Sequence, residues 1–331
     1  MQLDCGRINL FIGKPNVGKS NILEALSLFC APYVDTNKPF LSQFIRYEKV
    51  RNIFFDQLDD YYGVEVSSNI GNICISYDKH KDEYILSLSQ DKYYPKDDKF
   101  INELILGVFF DEDGAIINPF ETSYKSSVKR YSFKDTNVKK DPSFTSFFLQ
   151  PPHGRNILKI LELSSNLRKK ISKLFDEYGL ELLVDIQGNN ISIQKRIDGI
   201  FYQIPYNLTA DTLRRLIFHY AAIESNRDSI LIFEEPENHS FPPYIRDLAQ
   251  TIIDAATNQF FITTHSPYLF NTIVENCPPD ELAVFITYME NYETKVKKLT
   301  DEELAELSNY GVDIFFNLNW FVHGEMDSAT S

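Results

Sequence analysis

The sequence predicts an α/β fold whose core sheet, parallel or mixed and flanked by helices, is built from both ends of the chain. A short apolar stretch, Arg7 to Ile12, is followed by a glycine-containing loop and then by helical periodicity. From about 205 to 290, apolar strands alternate with helices, which is typical of a parallel sheet. Between these ends, from about Tyr62, apolar residues recur at every second position and predict an antiparallel β-subdomain.

The elements of the first half follow in order. The strand Arg7–Ile12 leads through the loop Gly13–Lys19 into a helix from about Ser20 to Cys30, whose apolar residues fall at helical spacing. The alternating pattern predicts strands up to about Leu88. Residues 90–150 show no clear period, and we interpret them as a variable insertion.

The second half contains the longer periodic segments. Its predicted elements are the helix Arg155–Tyr178, the strands Leu180–Ile186, Ile191–Gln194 and Ile200–Ile204, the helix Asp211–Ser225, the strand Ser229–Phe233, the helix Tyr244–Ala256, and the strands Gln259–Thr264 and Glu281–Thr287. We therefore expect a single discontinuous domain over 1–331. Its core lobe takes about 1–90 plus 205–290, an inserted helical or lid region takes about 91–204, and a tail takes 291–331.

Composition narrows the classes of function. The 331 residues are 43% apolar, enough to bury a large core, and the formal net charge of −14 gives no support to nucleic-acid binding. None of the four cysteines forms a CxxC pair, so neither a zinc site nor a disulfide framework is indicated. No signal-peptide pattern and no apolar run of membrane-spanning length is present. We expect a cytoplasmic protein without a membrane segment.

The loop after the first strand carries the most specific motif. It reads Gly13-Lys14-Pro15-Asn16-Val17-Gly18-Lys19-Ser20, followed by Asn21. In the pattern G-x4-G-K-[ST], glycines let backbone amides approach phosphate, the lysine reaches the β- and γ-phosphates, and the hydroxyl binds Mg²⁺. The following helix directs its positive N-terminus at the same anion. We predict that residues 13–21 bind a nucleoside triphosphate; a chance glycine-rich turn does not explain strand, motif and helix together.

Two acids follow a buried strand, in the segment Ile230–Asn238. Ligands of open α/β sheets bind at the carboxyl ends of the strands. We expect Glu234 to support Mg²⁺ and Glu235 to act as the general base that polarises the attacking water. The alternative is an acidic strand-to-loop turn at a solvated edge.

His265 ends the next predicted strand, in Phe261–Pro267. It should face the same sheet edge as Glu235, where an imidazole can contact the γ-phosphate or the attacking water. A histidine satisfied in the core is the alternative interpretation.

A fourth segment, Asn207–Arg215, opens a helix. Thr209 or Asp211 could cap that helix. The same loop could hold the γ-phosphate of a second nucleotide across a dimer, but spacing alone favours an ordinary cap.

The order GKPNVGKS, NLTADTLRR, ILIFEEPENHSFPP and FFITTHSPYL resembles the ABC-type (P-loop NTPase) ATPase heads of the SMC/RecF/OLD superfamily, and most of all the OLD-like AAA-family ATPases. The resemblance implies ATP and Mg²⁺ as ligands. It places Glu234 at the Walker B acid, Glu235 at the catalytic base, His265 at the switch histidine and Thr209–Thr212 at the signature loop. It also implies a head-to-head homodimer, or higher oligomer, with two ATPs at the interface.

The sequence departs from the family pattern at several points. The signature loop lacks its usual glycines, and the first acid is Glu234 where aspartate is more usual. Gln57, after Ile53-Phe54-Phe55, is a weak candidate for the metal-binding glutamine loop. No coiled coil and no Toprim-like acidic constellation is recognisable.

Other functions remain open at this stage. A GTPase would need Asn-Lys-x-Asp, and Asn37-Lys38-Pro39-Phe40 fails at the last position. A transporter nucleotide-binding domain would need a glycine-rich signature. A RecF/SMC-like DNA-repair ATPase would need a basic groove, and the net charge of −14 gives it no support. An ATP-dependent switch is a further alternative: Glu235 and His265 argue against a dead site, but slow turnover would fit the degenerate signature loop. By family analogy alone, we expect a separately encoded effector and a role in bacterial anti-phage defence.

Overall fold

A computed structural model of the chain describes residues 1–58, 63–94, 99–118, 124–135, 146–310 and 313–323. It divides into two compact units. The first unit combines Met1–Ser20 with Tyr131–Ser331, and the second comprises Asn21–Arg130. The boundaries predicted for the core lobe, insertion and tail remain predictions.

The strands are, in chain order, β1 (Ile8–Ile12), β2 (Val64–Ser68), β3 (Gly71–Asp78), β4 (Glu83–Tyr94), β5 (Lys99–Phe110), β6 (Val128–Tyr131), β7 (Glu181–Asp185), β8 (Asn190–Ile197), β9 (Ile200–Pro205), β10 (Ile230–Glu234), β11 (Gln259–Thr263), β12 (Leu282–Glu290) and β13 (Glu293–Lys298). The α-helices are α1 (Lys19–Ser27), α2 (Ile157–Leu163), α3 (Ser165–Asp176), α4 (Asp211–Ser225), α5 (Pro242–Asp254), α6 (Pro267–Asn276), α7 (Asp301–Tyr310) and α8 (Leu318–His323). Short 3₁₀ helices include Leu28–Tyr33 and Phe55–Gln57.

The main sheet of the first unit contains strands from both ends of the chain. Its order includes β13-β12-β1-β11-β10. β1 pairs in parallel with β11 on one side and with β12 on the other, β10 pairs in parallel with β11, and β13 is antiparallel to β12. All five residues of β1 are buried, as expected for a central parallel strand. The predicted α/β fold class, with a mixed core sheet, is confirmed.

Helices cover this sheet with apolar faces. α4 buries most of its middle turns, and α4 contacts α5, which in turn contacts α6. Ile8, Leu231, Leu248 and Leu269, from two strands and two helices, belong to one hydrophobic cluster and are fully buried. The cluster holds the carboxyl ends of β1, β10 and β11 at one edge of the sheet.

The first unit also contains a small antiparallel sheet, β7-β8-β9. Its turns contain Asn189 and, between β8 and β9, Asp198-Gly199, all with positive φ. Short hairpin turns require such conformations. The three strands predicted here are confirmed, with shifts of one to three residues at their ends.

The second unit is built around the antiparallel meander β2-β3-β4-β5. One face of its central strands is buried, through Ile73 and Ile75 on β3 and Leu86 and Leu88 on β4. The alternating pattern predicted the first three strands correctly. It missed β5, which lies in the stretch interpreted as aperiodic.

One further difference from the sequence prediction has a physical cause. The predicted helix Arg155–Tyr178 is two helices, because Ser164 ends α2 with an extended backbone and its hydroxyl accepts a hydrogen bond from the Leu167 amide, capping α3. α6 was not predicted at all. Among the described residues, no helix is long and apolar enough to cross a membrane.

Candidate functional site

The loop after β1 adopts a backbone that two glycines make possible. Gly13 has φ +153°, and a β-carbon there would lie 2.2 Å from the carbonyl oxygen of Thr287. Gly18 has φ +93°, and a β-carbon there would lie 2.0 Å from Thr294 Oγ1. Neither position accepts a side chain without displacing β12 or β13. The main chain of the loop therefore lies directly against the β12–β13 hairpin.

Lys19 begins α1 with a nearly buried side chain, 7% exposed. Its Nζ donates hydrogen bonds to the carbonyl oxygens of Gly13 (2.9 Å) and Lys14 (2.8 Å). Burial lowers the pKa of Lys19, and the nearby carboxylate of Glu235 opposes that effect. The ammonium group therefore lies inside the curve of the loop Gly13–Ser20, where a phosphate group would meet it.

Ser20 joins the start of α1 to the end of β10. Its hydroxyl donates a short hydrogen bond to Glu234 Oε1. Glu234 is the last residue of β10 and pairs in register with Thr263 at the end of β11. A hydroxyl and a carboxylate in contact are two of the oxygen ligands that Mg²⁺ takes in proteins.

Glu235 and His265 face each other just beyond the ends of β10 and β11. Glu235 has φ +44°, and its amide donates to the Thr263 carbonyl oxygen at 3.0 Å. His265 Nε2 lies 3.5 Å from Glu235 Oε1, and Asn238 Nδ2 donates to the other carboxylate oxygen at 2.8 Å. The structure thus brings the predicted base and the predicted switch histidine together.

The environment of His265 favours the neutral imidazole. Burial lowers the pKa of His265, the positive charge of Lys19 lowers it further, and Glu235 opposes both effects. The side chain remains 40% exposed. A neutral ring can donate or accept one proton near neutral pH.

Glu237 belongs to the same edge but was not predicted from the sequence. It is 6% exposed, and its Oε1 accepts hydrogen bonds from Thr264 Oγ1 (2.5 Å) and from the His265 amide (3.2 Å). Burial raises the pKa of Glu237, while the Thr264 hydroxyl opposes that effect. The sequence held one signal for Glu237, which is the third acid in Glu234-Glu235-Pro236-Glu237. Hydrophobic periodicity does not assign a role to such a residue.

The predicted signature loop precedes α4. Asp211 is paired with Arg215 (2.6 Å) and Arg214 (3.4 Å), so its charge is compensated within its own helix. The expectation that Thr209 or Asp211 caps α4 is wrong: Ala210 is the N-cap residue, and no side chain caps that end. Thr209 instead lines a largely apolar pocket of about 380 Å³ with Leu208 and Phe241.

Two predicted ligands belong to the second unit. Asn21 is exposed on α1, and Gln57 is exposed in the 3₁₀ helix Phe55–Gln57, with φ +59°. Their predicted roles remain predictions. Within the described residues, no group of three or more His, Cys, Asp or Glu could hold a metal by itself.

Residues 8–271 match the family described as "AAA domain, putative AbiEii toxin, Type IV TA system". The chain belongs to this AAA-domain family. The matched span contains the loop Gly13–Ser20, both acids Glu234 and Glu235, and His265. The fold is thus that of an ATP-binding AAA domain.

The chain is also similar to solved SMC head structures. One is an Smc head bound to the C-winged helix domain of ScpA, with 11% identity, coverage of 90% of this chain and 91% of that chain, and a TM-score of 0.46. Another, an SMC head domain from Thermotoga maritima, has 11% identity, coverage of 89% and 90%, and a TM-score of 0.37. A third, an Smc head from Pyrococcus furiosus with an extended coiled coil, has 10% identity, coverage of 92% and 93%, and a TM-score of 0.47.

Proposed function

We propose that this AAA-domain protein hydrolyses Mg-ATP, with Glu235 as the general base. One observation carries the proposal: Glu235 and His265 face each other at the sheet edge where the contact between Ser20 and Glu234 also lies. Open α/β sheets bind their ligands at this edge.

The residues present fit Mg-ATP. No side chain fits at Gly13 or Gly18. In a loop of this kind before a helix, backbone amides bind phosphate oxygens. Lys19 supplies one positive charge inside the curve of the loop. Mg²⁺ commonly binds one or two protein oxygens and completes its shell with water and substrate phosphates, and Ser20 with Glu234 provides such a pair.

The proposed reaction is attack of water on the γ-phosphorus. Glu235 accepts the water proton as the new P–O bond forms and the bond to the ADP oxygen breaks. His265, which faces Glu235, orients the water or the γ-phosphate. Lys19 stabilises the negative charge on the phosphate oxygens. Ser20 and Glu234 would hold Mg²⁺, which would neutralise negative charge on the phosphates.

We further propose that two copies share each nucleotide head to head, with Thr209 and Asp211 facing the nucleotide of the partner copy. A free carboxylate at Asp211 would repel a γ-phosphate. The pairing of Asp211 with Arg214 and Arg215 supports the proposal, because it offsets that charge and places two guanidinium groups beside the loop. Gln57 is also proposed as a metal ligand.

The output of the cycle is proposed to act on a separately encoded effector, in an anti-phage setting within the cytoplasm. Support comes from the family description, which refers to a putative toxin and a Type IV TA system. A RecF/SMC-like repair ATPase is the alternative, and the net charge of −14 does not favour it. An ATP-dependent switch with little turnover is a second alternative.

ATP turnover and molecular mass in solution, measured for the wild type and Glu235→Gln, test the proposal. Glu275→Gln, at an exposed position on α6, is the matched control. We expect Glu235→Gln to lose turnover and to accumulate as an ATP-bound dimer, and Glu275→Gln to behave as the wild type. Hydrolysis unchanged in Glu235→Gln would contradict the assignment of the base. A wild type that hydrolyses ATP as a monomer would exclude the shared site, and preference for GTP would favour a GTPase.

A further inference from the structure

The segment that carries His265 is anchored by a side chain from the neighbouring loop. β10 and β11 end side by side, with Glu234 opposite Thr263. Beyond this last pair of residues, the Glu237 carboxylate continues the connection by accepting from the Thr264 hydroxyl at 2.5 Å and from the His265 amide at 3.2 Å. One carboxylate oxygen thus holds two consecutive residues of the opposite loop.

The anchor continues into α6. Thr264 Oγ1, while donating to Glu237, accepts a hydrogen bond from the Ser266 amide at 3.0 Å. Ser266 Oγ in turn accepts from the Leu269 amide at 3.5 Å and caps the helix. The His265 backbone therefore lies between a fixed helix start and a fixed carboxylate.

Burial makes this anchor rigid. Thr264 is completely buried and Glu237 is 6% exposed, so an unmade hydrogen bond there costs the full desolvation of the group. The His265 side chain, in contrast, is 40% exposed and is not immobilised by core packing. Its position relative to Glu235 depends on where its backbone is held.

We propose that Glu237 is a positioning residue for ATP hydrolysis, holding the His265 backbone so that the imidazole faces Glu235 and the γ-phosphate. This inference rests on the proposed ATPase function. Glu237 acts through His265 and not on the nucleotide. Displacing a reacting group by about 1 Å can lower a rate by about 100-fold, so the anchor has a measurable effect on kcat.

Glu237→Ala is the first test. We expect it to lower kcat at least about tenfold while the affinity for a fluorescent ATP analogue with Mg²⁺ stays within about threefold of the wild type. Amide hydrogen exchange at His265 should become faster, because its acceptor is gone. Thermal unfolding shows whether the variant is folded at the assay temperature.

A matched pair at Thr264 gives the same test with a smaller change. Thr264→Val keeps the shape of the side chain but removes both the donor to Glu237 and the acceptor of the Ser266 amide, whereas Thr264→Ser keeps the hydroxyl. We expect Thr264→Val to lower kcat and Thr264→Ser to retain it. This pair also decides the matter if Glu237→Ala does not fold.

The double variant separates positioning from general stabilisation. If Glu237 acts through His265, then Glu237→Ala adds no further loss of kcat to His265→Ala, and the double variant stays within about twofold of the single one. Losses that multiply, or a Glu237→Ala variant that is less stable but has an unchanged kcat, would overturn the inference and leave the ATPase proposal standing. A wild type that neither binds nor hydrolyses ATP would overturn the ATPase proposal and this inference with it.

Discussion

The main chain at Gly18 touches the side chain of Thr294: a β-carbon at Gly18 would lie 2.0 Å from Thr294 Oγ1 and 2.9 Å from its Cγ2. Gly18 belongs to the loop after β1, and Thr294 belongs to β13, the antiparallel strand at one end of the main sheet. The β12–β13 hairpin therefore lies directly against the loop Gly13–Ser20. A side chain at Gly18 would clash with Thr294 of the hairpin and so disturb the loop.

Gly18→Ala should impair both stability and nucleotide binding. Its φ of +93° is unfavourable for alanine, and the contact with Thr294 adds a clash. Gly199→Ala is the matched control, because Gly199 has φ +82° but nothing within 4 Å of a built β-carbon. We expect Gly199→Ala to cost about 1 kcal/mol of unfolding free energy and Gly18→Ala clearly more. Equal costs in urea unfolding would show that Thr294 imposes no constraint.

Ser20→Ala should weaken the binding of Mg²⁺. The variant removes the hydroxyl that contacts Glu234, and with it one of the proposed metal ligands. Turnover should fall at least about tenfold, and the concentration of Mg²⁺ needed for half-maximal ATP binding should rise. Ser20→Thr keeps the hydroxyl and should retain both properties. An unaltered Mg²⁺ titration in Ser20→Ala would remove Ser20 from the metal site.

His265 should titrate below the ordinary histidine pKa of 6.5. Burial and Lys19 lower its pKa, while Glu235 raises it. NMR can follow the ring signals of the six histidines, with His265→Asn identifying the relevant signal. In Glu235→Gln the opposing carboxylate is lost, so the midpoint should move lower still. A midpoint above 6.5, or an upward shift in Glu235→Gln, would contradict this electrostatic description.

His219, in the middle of α4, should make the protein less stable in mild acid. It is 5% exposed, and burial lowers its pKa to about 4. Between pH 6.5 and pH 4 the unfolded chain binds a proton at His219 that the folded chain does not. The contribution of His219 to the free energy of unfolding is therefore fully present above pH 6.5 and is lost as pH falls toward 4. The loss attributable to His219 is about 3 kcal/mol. Urea unfolding from pH 7 to pH 4 should show a shallower pH dependence in His219→Gln; identical slopes would mean that His219 protonates while folded.

The parts of the site that sequence reasoning found are those coded by short local patterns. The loop Gly13–Ser20 and the acids after β10 each follow an apolar strand, and parallel strands bring their carboxyl ends to one edge. Glu237 and Thr294 were missed because their importance depends on contacts between distant segments. No periodicity encodes the register that brings Thr264 to Glu237.

The fold shows the same division. The helix Asp211–Ser225 was predicted with its observed bounds, because its apolar residues recur with helical spacing. α6 was missed although Ser266-Pro267 is a recognisable start, a capping serine followed by proline at the first helical position. The break at Ser164 was missed because the apolar spacing of α2 continues almost in phase into α3.

The position of β1 has a consequence for the order in which the protein can fold. β1 is made before both of its neighbours, β11 and β12, which begin only at Gln259 and Leu282. Contacts of such high sequence separation form late, since the long intervening chain must first be ordered. While Thr263 and Thr287 are still inside the ribosome, the loop Gly13–Ser20 lacks the neighbouring strands β11 and β12. We therefore expect nucleotide binding only once the chain has been made through β12.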